Sequence, residues 1–177
     1  MTTALPFSTA TLDRMVQHAV EKVYSTMLSP QVELVHSWSS GDAPPDGLAN
    51  PPLEAHVPMI VSAVGFLGEM SGVLYLYHVD SLASQVCSRF LGISPQELEE
   101  MGSDTVNDTM GEVANMVVGT FKNLICDQGY NCRLTLPSIV RGSDFSIETP
   151  SHVDWRLYRF RVLDEYFTLH LVIKPGE

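Results

Sequence analysis

Two residues that could do chemistry together stand three positions apart, Glu112 and Asn115, inside the run Gly111-Glu112-Val113-Ala114-Asn115-Met116-Val117-Val118-Gly119. A carboxylate can pair with a cation, and a neutral amide can hold a water through its carbonyl oxygen. Asp108, Glu112, Asn115 and Gly119 are spaced four, three and four, so a helix would line them up on one face. The composition of that row is unusual. Exposed helix faces are mostly Lys, Glu, Arg and Gln. Asn is a poor mid-helix residue, and Gly119 costs about 1 kcal/mol relative to alanine in a helix interior, as does Gly111 nearby. Small residues there would let a rigid partner come close, which reads as a docking surface. A solvated face with one Asn and two glycines is the alternative.

The positioning element is a helix predicted over about Asp104 to Cys126 and broken by Gly129. Val106, Met110, Val113, Val117, Phe121 and Leu124 form its inward stripe. Upstream, residues 9–28 read as a helix with Leu12, Val16, Ala19, Val20, Val23 and Met27 inward, capped by Thr11 or Thr9 and ended by Ser29-Pro30. Gln31 to Trp38 reads as a strand with Val32, Leu34, His36 and Trp38 on one face. A proline-rich loop follows over 39–56. Val57 to Leu67 and Gly72 to Val79 read as a hairpin turning at Gly68 to Gly72. Asp80 or Ser81 would cap a helix stopped by Gly92, and Ser94-Pro95-Gln96-Glu97 is a capping box opening a short helix that ends near Met101. Strands are expected at Cys132 to Val140, Trp155 to Leu163 and Tyr166 to Ile173, with Asp164-Glu165 turning the last hairpin. Hairpin connections imply a mostly antiparallel sheet with helices on one face, α+β within the broad α/β class, as a single domain over 1–177.

Other chemistries find little footing. The histidines His18, His36, His56, His78, His152 and His170 show no HxxxH or HExxH spacing, so no bound metal is expected. There is no GxSxG elbow and no phosphate-cradling glycine loop. Trp38 and Trp155 read as packing. Cys87, Cys126 and Cys132 form no CxxC pair, and their odd number argues against a disulfide framework; they read as buried thiols. A net charge of −11 disfavours nucleic acid and anionic lipid as partners and favours a partner with a basic patch, or serves solubility alone. Apolar runs are too short to span a bilayer and the N-terminus lacks a basic n-region, so a cytoplasmic protein is expected.

The run Gly111 to Gly119 resembles the signature helix of the CheC/CheX/FliY chemotaxis phosphatases: an acidic residue upstream, Glu-x-x-Asn, then Met and Gly. Asp108, Glu112, Asn115, Met116 and Gly119 fit it. LTLPSIVRG (Leu134 to Gly142) resembles the strand that follows that helix, and GEMSGVLYLYHV the strand before the second helix. The resemblance runs from about Met59 to Ile173. The chain has one ExxN, since Glu21 is followed three residues on by Tyr24. It is therefore closest to the CheX type, which carries a single signature helix and pairs as a homodimer.

The resemblance implies a phosphatase acting on the aspartyl phosphate of a CheY-like response regulator. Asn115 would position the attacking water and Glu112 would dock the receiver's lysine, with Gly111 and Gly119 as contact surface and Asp108 extending the acidic row. The leaving carboxylate is already good, so positioning is the main help available. Mg²⁺ would belong to the receiver. A non-catalytic module docking on a receiver or motor-switch protein is the alternative, although intact Glu112 and Asn115 favour catalysis.

Overall fold

The computed structural model describes residues 5–28, 31–39, 56–148 and 153–176. Most of the proline-rich loop, and Ser29-Pro30, lie outside them.

Among the described residues, four helices and seven strands run in the order α1 (Thr9–Met27), β1 (Val32–Ser39), β2 (Met59–Gly68), β3 (Met70–Val79), α2 (Asp80–Leu91), α3 (Pro95–Met101), α4 (Ser103–Asp127), β4 (Cys132–Leu134), β5 (Ser138–Gly142), β6 (Asp154–Val162) and β7 (Glu165–Pro175). All strand pairs are antiparallel, in the spatial order β1-β6-β7-β3-β2-β4, with β5 also on β2. The expected fold class is the observed one. Helices α1 and α4 pack against each other and lie side by side on one sheet face, α1 over β1 and α4 over β2 and β3. Val16, Val20, Val113, Val117 and Phe121 meet Phe66, Leu74, Leu76, Leu169 and Phe160 in the core between them. The alternating apolar residues of β2, β3 and β7 supply that face, as a half-covered antiparallel sheet requires.

Local signals account for most element ends. The capping box is complete: Ser94 Oγ accepts from the Glu97 N–H at 3.2 Å, and the Ser94 N–H donates to Glu97 Oε2 at 2.8 Å. Gly92 stops α2 at φ 68°, a left-handed conformation that glycine adopts without strain.

Four local expectations need correction. The N-cap of α1 is Ser8, whose hydroxyl accepts from the Thr11 N–H, not Thr9 or Thr11. Val79 precedes α2 without a side-chain cap, because Asp80 is inside the helix and paired with Arg141. The β6–β7 turn is Leu163-Asp164, two residues at positive φ, rather than Asp164-Glu165, whereas the β2–β3 ladder ends with Phe66 opposite Gly72 and turns through the expected segment. A register shift in β1 between Leu34 and His36 puts Leu34 opposite Phe160 but Trp38 opposite Leu157. Val32 and Leu34 therefore face the helices while His36 and Trp38 turn to the other side.

That other side carries an aromatic cluster, with His170 stacked on Tyr75 and Trp155 edge-on to His170. All three cysteines are free; Cys87 and Cys132 are buried and Cys126 half-buried. Burial raises the Cys87 thiol and, with Cys126 alongside, pushes Cys132 up to about 11, so neither of these two buried thiols is an activated nucleophile.

Candidate functional site

Helix α4 is seated by its inner stripe. Val106, Met110, Val113, Val117 and Phe121 are buried and Leu124 is half-buried. The opposite row then has to point outward, and Asp108 and Glu112 are exposed while Asn115 and Gly119 are half-buried. Among the described residues, no hydrogen bond or ion pair engages Glu112 or Asn115. The carboxylate and the amide are thus both available, one turn apart.

The residues one turn before and after Asn115, Gly111 and Gly119, are flanked by the chain's own edge strand. The chain from β4 to β5 runs antiparallel to the helix along one flank. Leu134 lies beside Gly119, with Leu134 Cδ1 3.7 Å from where a Cβ would stand. Pro137 and Ile139 lie beside Gly111, at 3.8 and 3.7 Å from its notional Cβ. Arg141 lies beside Asn107, donating from Nε to Asn107 Oδ1. Arg141 also donates to Asp80 Oδ1 at 2.7 Å and to the Ser103 carbonyl at 3.4 Å. One guanidinium therefore ties β5 to the start of α2 and the first turn of α4.

The contact-surface role expected for Gly111 is corrected by this packing. Gly111 is buried, and its small size admits the chain's own Pro137 and Ile139 rather than a partner. Gly119 is partly used in the same way by Leu134 and remains half-open. Asp108, Glu112 and Asn115 stand together on the outer row, as their spacing requires.

The flank that sequence reasoning missed is the edge strand. β2 advances three positions from Phe66 to Ala63 while its neighbour advances four, from Leu134 to Ser138. One extra residue makes a β-bulge, the kind of feature that re-aims side chains beside sites. Thr135 anchors it. Its N–H donates to the Gly65 carbonyl at 2.8 Å, and its hydroxyl accepts from the Gly65 N–H at 2.9 Å. Pro137, inside a strand-like run, is the available signal, because proline in sheets marks edges and bulges.

No group of three or more His, Cys, Asp or Glu among the described residues could hold a metal ion. No helix among them is long and apolar enough to cross a membrane.

An antiparallel sheet with two long helices on one face, one of them presenting an outward Glu-x-x-Asn pair, is the class of protein defined so far. The family model described as chemotaxis phosphatase CheX matches residues 60–160. The chain belongs to the CheX family. A search of curated protein sequences finds no match. Solved structures agree on the fold. A CheC-like superfamily protein from Shewanella sp. PV-4 is 20% identical with a TM-score of 0.74, the match covering 94% of this chain and 99% of that one. Chemotaxis protein CheX from Vibrio vulnificus is 18% identical with a TM-score of 0.73, covering 92% and 99%. A chain of the CheX-CheY-BeF3-Mg²⁺ complex from Borrelia burgdorferi is 17% identical with a TM-score of 0.70, covering 92% and 97%.

Proposed function

We propose that this chain hydrolyses the aspartyl phosphate of a CheY-like response regulator, with Asn115 and Glu112 as its working residues. The observation that carries the reading is their arrangement: an exposed carboxylate and a half-exposed amide one turn apart on a rigidly seated helix, in a CheX-family chain. The partner class is supported by the relative from Borrelia burgdorferi, whose structure is a complex with CheY, BeF3 and Mg²⁺.

The chemistry asks little of the protein. Water attacks phosphorus, the P–O bond to the aspartyl carboxylate breaks, and aspartate and inorganic phosphate leave, the water proton passing to the phosphate. Asn115 accepts a hydrogen bond from that water at its carbonyl oxygen and holds it in line. A neutral amide can stand next to a phosphoryl group where a carboxylate would repel it. Glu112, one turn away, pairs with the receiver's lysine and fixes the docking angle. Asp108 extends the acidic row toward the same partner. The Mg²⁺ required for turnover sits on the receiver. Two copies pair as a homodimer, each carrying its own site, and the chain works in the cytoplasm where its substrate class is found.

The test is phosphate release from a phosphorylated CheY-like receiver, with wild type and Asn115→Ala side by side. Loss of about 100-fold or more is expected on the scale of a removed positioning group, with unchanged melting. Equal rates would remove the catalytic assignment. A wild type that binds the receiver but releases no phosphate would make the chain a docking module.

A further inference from the structure

We infer that Leu136 is an apolar anchor for the receiver domain, placed beside Asn115 by the bulge in the edge strand. This rests on the docking reading above and extends the site from the helix to its flank.

A single exposed leucine needs no explanation on its own. Three features set this one apart. Leu136 is 89% exposed, more than any other large apolar residue exposed among those described, the next being Leu67 at 61%. It is also held stiffly. Thr135 before it is bonded twice to Gly65, and Pro137 after it is packed on Gly111. A partner that covers it need order little main chain, so only the leucine's own rotamers are given up. The third feature is its level along α4. Gly119 pairs with Leu134 and Gly111 with Pro137, so the stretch between them passes Asn115. Eight helical residues rise about 12 Å, and three extended residues span about 10 Å, so the two runs match in length and the tip of the bulge falls level with Asn115.

The occupant follows from that position. A partner whose phosphoryl group reaches Asn115 and whose lysine reaches Glu112 must lay the surface around its active site over the adjacent flank. Leu136 is the apolar group it meets there. The polar row then sets orientation while the leucine adds affinity, the division of labour common at interfaces. The extra residue of the bulge gives the arrangement its cause. Without it the edge strand would continue its alternation and stay paired with β2 through this stretch.

The experiment compares wild type, Leu136→Ser, Leu136→Met and Glu112→Lys for affinity to a CheY-like receiver activated with beryllofluoride and Mg²⁺. Steady-state dephosphorylation and melting temperature are measured alongside. Leu136→Ser should weaken binding about tenfold or more, the scale of burying a leucine side chain. It should raise KM by a similar factor while leaving kcat within about twofold and melting unchanged. Leu136→Met should retain near wild-type affinity, since it conserves apolar volume. Leu136→Ser binding like wild type while Glu112→Lys loses affinity would overturn the anchor and spare the docking reading. A wild type that binds no activated receiver would overturn both.

Discussion

Helices α1 and α4 lie side by side on one sheet face with equally apolar inner rows, yet their outer sides differ. On α1 the outward residues Arg14, Gln17, His18, Glu21 and Lys22 are ordinary solvated types, and Gln17 donates to Glu21 Oε1 at 2.7 Å across one turn. This self-paired surface stabilises the helix and offers a partner little. On α4 the outer row has poor helix formers, Glu112 and Asn115 are unpaired among the described residues, and the flank is pressed by an edge strand that breaks to bulge. Packing alone would be served by either design. The two glycines of α4 admit the chain's own edge strand, but the poor helix former at Asn115 has no such use among the described residues, and it marks which helix is shaped by something outside the core.

The inner rows should behave alike, and truncation there gives the largest stability effects. Leu12→Ala in α1 should cost about 2–5 kcal/mol and Phe121→Ala in α4 about 3–5 kcal/mol, read from denaturant unfolding. Glu112→Ala and Glu21→Ala should both stay within about 0.5 kcal/mol. A Phe121→Ala cost below 1 kcal/mol would mean that the core does not seat α4 and would break the comparison at its root.

The next largest effect should come from pH, and it belongs to the α1 side. Tyr24 of α1 is bonded to His78 Nε2 at 2.7 Å in the core, and burial holds His78 down to about 3. Burial likewise lowers His170, on the other sheet face, to about 4. In the unfolded chain both titrate near the ordinary histidine value of about 6.5. Below that the unfolded state binds protons the folded state refuses. Stability is thus complete above about pH 6.5 and falls with acidification toward the folded values, by up to about 1.4 kcal/mol per pH unit for each histidine. The buried stripe of α4 carries no titratable group of this kind. Unfolding free energies measured from pH 7 to pH 5 should decline; a flat profile would contradict the buried neutral state.

The smallest effect concerns the flank of α4. A Cβ at Gly111 would stand at ordinary van der Waals distance from Ile139 and Pro137. Gly111→Ala should then be neutral or stabilising by up to about 1 kcal/mol, because alanine is the better helix former. Gly111→Leu should displace the strand and destabilise. If alanine itself cost more than about 1 kcal/mol, the flank would be tighter than the geometry allows.

Features carried by local chemistry were legible in the sequence: the capping box at Ser94–Glu97, the glycine stop at Gly92, and both helical stripes. The outer row at Asp108, Glu112 and Asn115 was legible too, since it is the complement of the α4 stripe. Long-range packing was not. Gly111 lies one turn before Asn115 on the wheel and read as outward, but the Pro137–Ile139 segment covers it from twenty-odd residues away in sequence. The bulge in β1 was hidden because one inserted residue shifts the two-residue strand period without a local mark, and in the LTLPSIVRG run Pro137 signals a break but not which residue is extra. The hub role of Arg141 depends on three elements meeting, which no local pattern encodes.

The most direct measurement is dephosphorylation of a phosphorylated CheY-like receiver by Asn115→Asp, a change of amide to carboxylate at constant shape. The expected result is release at the receiver's own intrinsic rate, with folding and melting as in wild type, because the new charge repels the phosphoryl group. Release as fast as wild type would contradict the role assigned to the amide.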